Sequence, residues 1–442
     1  MTDASVRVVP ADVLTPIGAY NALAQPQASC LLESVESGGR ISRYSFIGLD
    51  YIAAENFAAG DRLYERVREF ISAHRTDGDN ASLGGALLAF SYDAARSDAR
   101  LPPRVASIPA MPAAYCAVPA TWLIFDHFTD SLTIWCSGGE STARERRIDA
   151  YLERLLAAKP ALPQPVRARG AMSESIDRRR YLELVAAAKH HIFEGDVYQL
   201  QVGIRFGAEF DGSAFDLYRA LRRENPSPYM FFVDTPFGEL LGASPEFLVR
   251  LEGRKARIRP LAGTRWRGRD DDEDARIAAE LLTNEKERAE HVMLVDLGRN
   301  DLGSVCDYGS VQVDELLQIE RYSHVMHIVS NVVGRLREDR DALDLFRAGF
   351  PAGTVTGTPK IRAMQLIDGF ESLTRGFYAG SIGRWSFGGD FDSCITLRSV
   401  HVQNGHAWWQ ASAGIVADSD PVAEYEEVFH KTRIARAVLG IE

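Results

Sequence analysis

Gly388-Gly389 and Asn404-Gly405 each separate strand-like apolar runs. Turns this short join antiparallel neighbours, whereas a parallel pair needs a crossover of about a dozen residues or more. The runs beside them span residues 380–387, 391–401 and 407–416. Others lie at 197–206, 229–233, 238–242, 247–260, 311–318 and 324–335, with a helix expected around 215–225. This favours antiparallel pairing over a doubly wound parallel sheet. Asp177 should cap a helix that buries Tyr181, Leu184, Val185, Ala188 and Ile192 and stops at Gly195. Earlier in the chain, residues 61–74 carry helical periodicity and 86–92 are apolar. Residues 120–126 and 131–135 read as a hairpin, and 140–159 as an amphipathic helix with Ile148, Tyr151, Leu152, Leu155 and Leu156 on one side. Residues 160–173, rich in Pro, Ala and Arg, read as a linker between domains at 1–165 and 174–442.

With 442 residues, 46% of them hydrophobic, the chain can bury a large core. A net charge of -11 and the lack of any Lys/Arg run long enough for a basic patch argue against a nucleic-acid surface. The first residues lack the basic and apolar regions of a signal peptide, and no stretch is long enough to span a membrane, so a soluble cytoplasmic protein is expected. Cys30, Cys116, Cys136, Cys306 and Cys394 are scattered and read as reduced packing residues, none in a Gly-x-Cys-x-Gly elbow.

The chemistry gathers in two Glu-x-x-Glu pairs. Glu287 and Glu290 precede the apolar segment 292–295, and Glu424 and Glu427 follow the helix start 418–421 (DSDP), with Lys431 four residues on. Each pair projects from one helix face, where like charges repel unless a cation lies between them. Either pair alone reads as a solvated face; two converging faces would hold a hard ion, and Mg2+ suits carboxylates plus waters. Residues 353–360 (GTVTGTPK) lack the Lys-Ser/Thr order of a P-loop. They read as a turn into a helix, with Thr358 as N-cap, Pro359 first, and Ile361, Met364 and Leu366 or Ile367 buried. That helix start offers N–H groups to an anion, or is a plain turn. Residues 260–265 could approach a carboxylate or merely turn. His327, alternating with apolar residues, reads by itself as a core histidine. Arg398, at an inward-facing strand position within 394–400, needs a partner.

Residues 242–246 (GASPE), 260–264 (PLAGT), 287–301, 319–327 (IERYSHVMH), 350–354 (FPAGT) and 414–420 (GIVADSD) together resemble the chorismate-utilising enzymes, in the family's order. Residues 31–34 (LLES), 43–48 (RYSFIG) and 225–231 (NPSPYMF) resemble the anthranilate synthase component I branch. The resemblance implies an α+β fold, an antiparallel β-sandwich with helices packed outside and chorismate between the sheets. Glu290 and Glu427 would hold Mg2+ directly, Glu287 and Glu424 through water. Tyr378, Arg398, backbone donors near Gly414 and Lys431 would bind the substrate, with Ala262, Gly263, Thr264 and Ser412 lining its site. Glu246 would act as general acid, His327 would assist proton loss, and Thr354 would position the ring. Tryptophan would occupy a feedback site built from Leu32, Glu33, Ser34, Pro228, Tyr229 and Met230.

Aminodeoxychorismate synthases commonly carry Lys where this chain has Ala262, and isochorismate or salicylate synthases where it has Gln199. Ammonia attack at C2, giving anthranilate and pyruvate, is therefore the expectation, with a separate glutamine amidotransferase subunit as partner. Aminodeoxychorismate synthesis is the alternative within the family. A tryptophan- or Mg2+-binding module without catalysis is the alternative outside it, although such a module would not require Glu246, His327 and Arg398. Ser412 departs from a common Gly, and Thr356 and Thr358 from Ser and Ala.

Overall fold

The computed structural model describes residues 3–34, 43–99, 101, 104, 108–321 and 325–441. Its described strands form one hydrogen-bonded, antiparallel network of twenty, folded into two facing layers. In the first, Ser29–Glu33 pairs with both Tyr44–Phe57 and Tyr229–Thr235. The layer continues through Gly238–Ser244, Ser399–Gln403 and His406–Ile415 to Gln199–Asp211. In the second, Gly85–Phe90 leads through Ser381–Ser386, Phe391–Ile395, Phe247–Glu252 and Lys255–Ile258 to Val325–Arg335. That last strand also pairs with Leu261–Trp266 and Gln312–Arg321.

Ala114–Asp126 joins the layers. Its first part pairs with Gly85–Phe90 and its second with Ser131–Ser137. Between the two parts sits Pro119, which cannot donate to a ladder, opposite a bulge between Tyr51 and Ala53. Strand alternation builds the two main cores. Phe231, Val233 and Leu240 face a core shared with Leu88, Phe90, Ile382 and Phe391. Their neighbours Met230, Phe232 and Leu241 face helices that contribute Tyr181, Leu184, Tyr218 and Val428. Each fully buried large side chain contributes about 1.5–3 kcal/mol. The fold is α+β, an antiparallel β core with helices outside.

Asp177 caps Arg178–Phe193 by accepting from the Arg180 N–H. All five cysteines are buried free thiols. Four local expectations need correction. Part of the linker, Arg167–Glu174, is a strand paired with Gln199–Asp211. The 247–260 run is a hairpin that turns at Gly253, whose φ of +58° suits glycine. Pro359, not Thr358, takes the cap position of Lys360–Phe370, and Ile361 is exposed. Thr358 precedes a proline, which favours extended backbone, and it pairs with Gln199. Finally, the 391–401 run is two strands in different layers, and Arg398 lies on the crossing with φ +47° and an exposed side chain rather than an inward strand position. Residues 322–324 of the 319–327 motif lie outside the described residues.

Candidate active site

Two of the candidate groups lie where the chain crosses between layers. Glu246 sits on one crossing, between Gly238–Ser244 and Phe247–Glu252, and Arg398 on another. Glu246 is buried, and burial pushes its carboxyl up from 4.5 to about 8; Thr354 Oγ1, donating to Oε1 at 3.2 Å, partly offsets this. His327, also buried, lies directly across the ladder from Thr264. Its Nδ1–H donates to the Gly263 carbonyl at 3.2 Å, with Thr264 Oγ1 at 3.1 Å. A carbonyl can only accept, so the neutral ring carries its lone pair on Nε2. Burial and the Arg398 charge bring its pKa down to about 4.

Gly263 stands at a register shift with φ +64°, and a Cβ there would come within 3.1 Å of Glu287 Oε2. The bare backbone lets this strand pass close to the glutamate helix, Glu285–Gly303, which Asn284 caps through the Glu287 N–H. Asp420 caps the second, Pro421–Val438. The two glutamate faces lie within electrostatic reach. Burial and repulsion from Glu287, Glu424 and Glu427 raise the Glu290 pKa against the attraction of Lys286, and burial with Glu427 raises Glu424. Two pairs of carboxylates, oxygen donors alone, are of the type that suits a hard divalent cation. The carboxylates are turned towards cationic side chains: Glu287 to Arg265 at 2.8 Å, Glu290 to Lys286 at 3.9 Å and Glu427 to Lys431 at 2.6 Å. No three candidate ligands among the described residues are already gathered around one point.

On the opposite layer, Gln199 and Gln201 share one strand face. Ser412 donates to Gln201 Oε1 at 2.8 Å, so the Tyr378 hydroxyl, 2.7 Å from Ser412 Oγ, is the donor to it. Lys431 Nζ reaches the Ser412 carbonyl at 2.9 Å. Gly414 lies beneath both glutamines; a Cβ would meet Gln199 Nε2 at 2.8 Å and Gln201 Nε2 at 3.0 Å. Ala262 lies on the Leu261–Trp266 strand opposite Ile328. The arrangement comprises a buried acid, a neutral imidazole, a Tyr378–Ser412–Gln201 hydrogen-bond chain and two glutamate pairs within electrostatic reach of each other.

Residues 28–437 match the sequence model of the family described as chorismate binding enzymes. The chain belongs to the chorismate-binding enzyme family. Among family members it is similar to anthranilate synthase component 1 of Acinetobacter calcoaceticus, 40% identical over 462 residues, covering 96% of this chain and 92% of that protein. The crystal structure of anthranilate synthase component I from Streptococcus pneumoniae TIGR4 superposes with a TM-score of 0.82 at 33% identity, covering 98% of this chain and 99% of that one. The menaquinone-specific isochorismate synthase of Escherichia coli shares the fold, with a TM-score of 0.79 at 20% identity over 99% of this chain and 95% of that one.

In this member of the chorismate-binding family, Leu32, Glu33, Ser34, Pro228, Tyr229 and Met230 all line one cavity of about 800 Å3, which also reaches Glu246. The Glu33 carboxylate itself is engaged, accepting from Tyr218 at 2.6 Å and Arg222 at 2.9 Å. Sequence reasoning missed Gln201 and the buried Glu371–Arg375 pair. The two-residue spacing from Gln199 was a signal for Gln201, because such positions share a strand face; in the donor-rich stretch 260–265 it is Arg265 that meets a carboxylate, that of Glu287.

Proposed function

We propose that the chain catalyses the component I half-reaction, in which chorismate and ammonia give anthranilate, pyruvate and water. The observation that carries this reading is the 40% identity to an anthranilate synthase component 1 over nearly the whole chain, with the buried Glu246 carboxyl held by Thr354 and the buried His327 held by the Gly263 carbonyl. Ala262 and Gln199, where relatives that run other reactions carry Lys, support it.

Chorismate would lie between the layers. Its enolpyruvyl carboxylate would meet Arg398 and Tyr378, with Lys431 and backbone donors near Gly414 adding positive potential. Glu290 and Glu427 would hold Mg2+ directly, and Glu287 and Glu424 through water; the ion's chemistry is to neutralise and orient the ring carboxylate. As ammonia attacks C2, Glu246 gives its proton to the departing C4 hydroxyl, which leaves as water, and the new ammonium loses one proton. His327 then accepts the C2 proton as the C3–O bond breaks. Enolpyruvate takes up a proton to become pyruvate, and the ring becomes aromatic. Thr264 and Thr354 keep ring and acid in place.

A separate glutamine amidotransferase would supply ammonia, and the 800 Å3 cavity would take tryptophan as feedback inhibitor. A cytoplasmic setting suits this reading; no described helix is long and apolar enough to cross a membrane. The test is to incubate the purified chain with chorismate, Mg2+ and an ammonium salt and to identify products by mass. Anthranilate supports the reading. An amino product that retains its enolpyruvyl group would replace it with aminodeoxychorismate synthesis, and no turnover even with an amidotransferase present would refute it.

A further inference from the structure

Behind the proposed acid and the substrate-binding hydroxyls lies an ion pair that the mechanism does not use. Arg375 and Glu371 are 3% and 5% exposed. Arg375 Nε and Nη2 grip the two Glu371 oxygens at 2.9 and 2.7 Å. Nη1 donates to the Val355 carbonyl at 2.6 Å, and Nη2 also to the Gln201 carbonyl at 3.2 Å. Glu371 Oε1 accepts from the Gly203 N–H at 3.0 Å. The guanidinium lies 4.7 Å from the Tyr92 ring and 5.9 Å from the Tyr378 ring. Planar guanidinium is suited to bridging several acceptors at once, whereas an ammonium is a point charge.

The partners of this pair are the neighbours of the site. Val355 follows Thr354, whose hydroxyl meets Glu246. Gln201 holds Ser412, which in turn meets Tyr378. The Gln201 N–H also donates to the Thr356 carbonyl at 2.8 Å, so the 353–358 turn is tied to the Gln199–Asp211 strand both directly and through Arg375. We propose that Glu371 and Arg375 are positioning residues that hold the Thr354 turn and the Gln201 strand in register, so that Thr354 reaches Glu246 while Tyr378 and Ser412 face the substrate. This rests on the reading of Glu246 as the general acid.

A buried ion pair replaced by apolar side chains of similar volume often leaves stability unchanged, which separates positioning from folding. The test compares wild type, Thr354→Val, Arg375→Lys and the double variant Glu371→Leu/Arg375→Met. Each is assayed for anthranilate across pH with free ammonia held constant, alongside thermal melting. In wild type kcat should fall on the alkaline side as Glu246 ionises. Thr354→Val should move that limb to higher pH, because its hydroxyl favours the ionised carboxyl. Arg375→Lys and the double variant should move it the same way, with kcat down at least tenfold and a raised chorismate KM, the double variant melting close to wild type. Wild-type kcat, KM and limb in the folded double variant would overturn the proposal while leaving the acid assignment intact. So would Arg375→Lys losing activity only in proportion to its folded fraction. A wild-type limb unmoved by Thr354→Val would instead remove the acid assignment on which the proposal rests.

Discussion

Glu246→Gln should cost activity and gain stability, by an amount that depends on pH. Burial raises the Glu246 carboxyl from 4.5 to about 8 in the folded chain. Between those values the folded state holds one proton more than the unfolded state. Stability from this group is therefore largest below 4.5 and declines as pH rises towards 8, by about 1.4 kcal/mol per pH unit. From about pH 5.5 to about pH 7.5 the wild type should lose about 2–3 kcal/mol that the Glu246→Gln variant does not. The amide keeps an oxygen for the Thr354 hydroxyl and cannot ionise, so all other titrating groups cancel when the two proteins are compared. The assay is urea unfolding of both at the two pH values. The variant should gain on wild type by that amount on going to the higher pH, while its anthranilate synthesis falls about 10²- to 10⁴-fold. Identical pH dependence in the two proteins would show that Glu246 is ionised in the fold and would refute it as the acid.

Burial holds His291, His327 and His401 neutral, with pKa values from 6.5 down to about 4, so their stability is present above 6.5 and is lost as pH falls towards 4. Acid melting curves should show about 2 kcal/mol lost per histidine by about pH 5, and His291→Gln should remove one share; an unchanged acid slope would contradict this. Gly414→Ala places a methyl 2.8 Å from Gln199 Nε2 and 3.0 Å from Gln201 Nε2, both flexible side-chain ends. The fold should survive while Gln201 shifts from Ser412, raising chorismate KM about tenfold, equivalent to about 1.4 kcal/mol; unchanged KM would count against the Ser412 arrangement. Glu427→Ala should abolish the stabilising effect of Mg2+ on thermal melting as well as turnover. A metal response equal to wild type would exclude Glu427 as a ligand.

The antiparallel core was legible because tight turns and period-two patterns are local properties, as in Met230 and Phe232 against Phe231 and Val233. The glutamate helices were legible from the Glu-x-x-Glu spacing, and the second also from its cap at 418–421; the Asn284 cap of the first was not read. Crossings between layers were not. Residues 391–401 are apolar enough to read as one strand, yet the chain changes layer at Arg398, a choice made by which neighbours the two halves pair with. Thr358 has the composition of a cap, but its backbone is claimed by Gln199, more than 150 positions away in the chain. Glu371 and Arg375 show a helical i,i+4 spacing, yet Arg375 lies beyond the helix end, and their importance comes from carbonyls on distant segments. The single carboxyl that the reading depends on most, Glu246, was found through the resemblance, since a lone Glu after Ser-Pro announces nothing about its burial.

The central claim is tested most directly by following anthranilate fluorescence and pyruvate together, with chorismate, Mg2+ and ammonium. Anthranilate and pyruvate should appear in equal amounts, and both should stop with Glu246→Gln. Chorismate consumed without pyruvate release, or undiminished anthranilate formation by Glu246→Gln, would contradict the account.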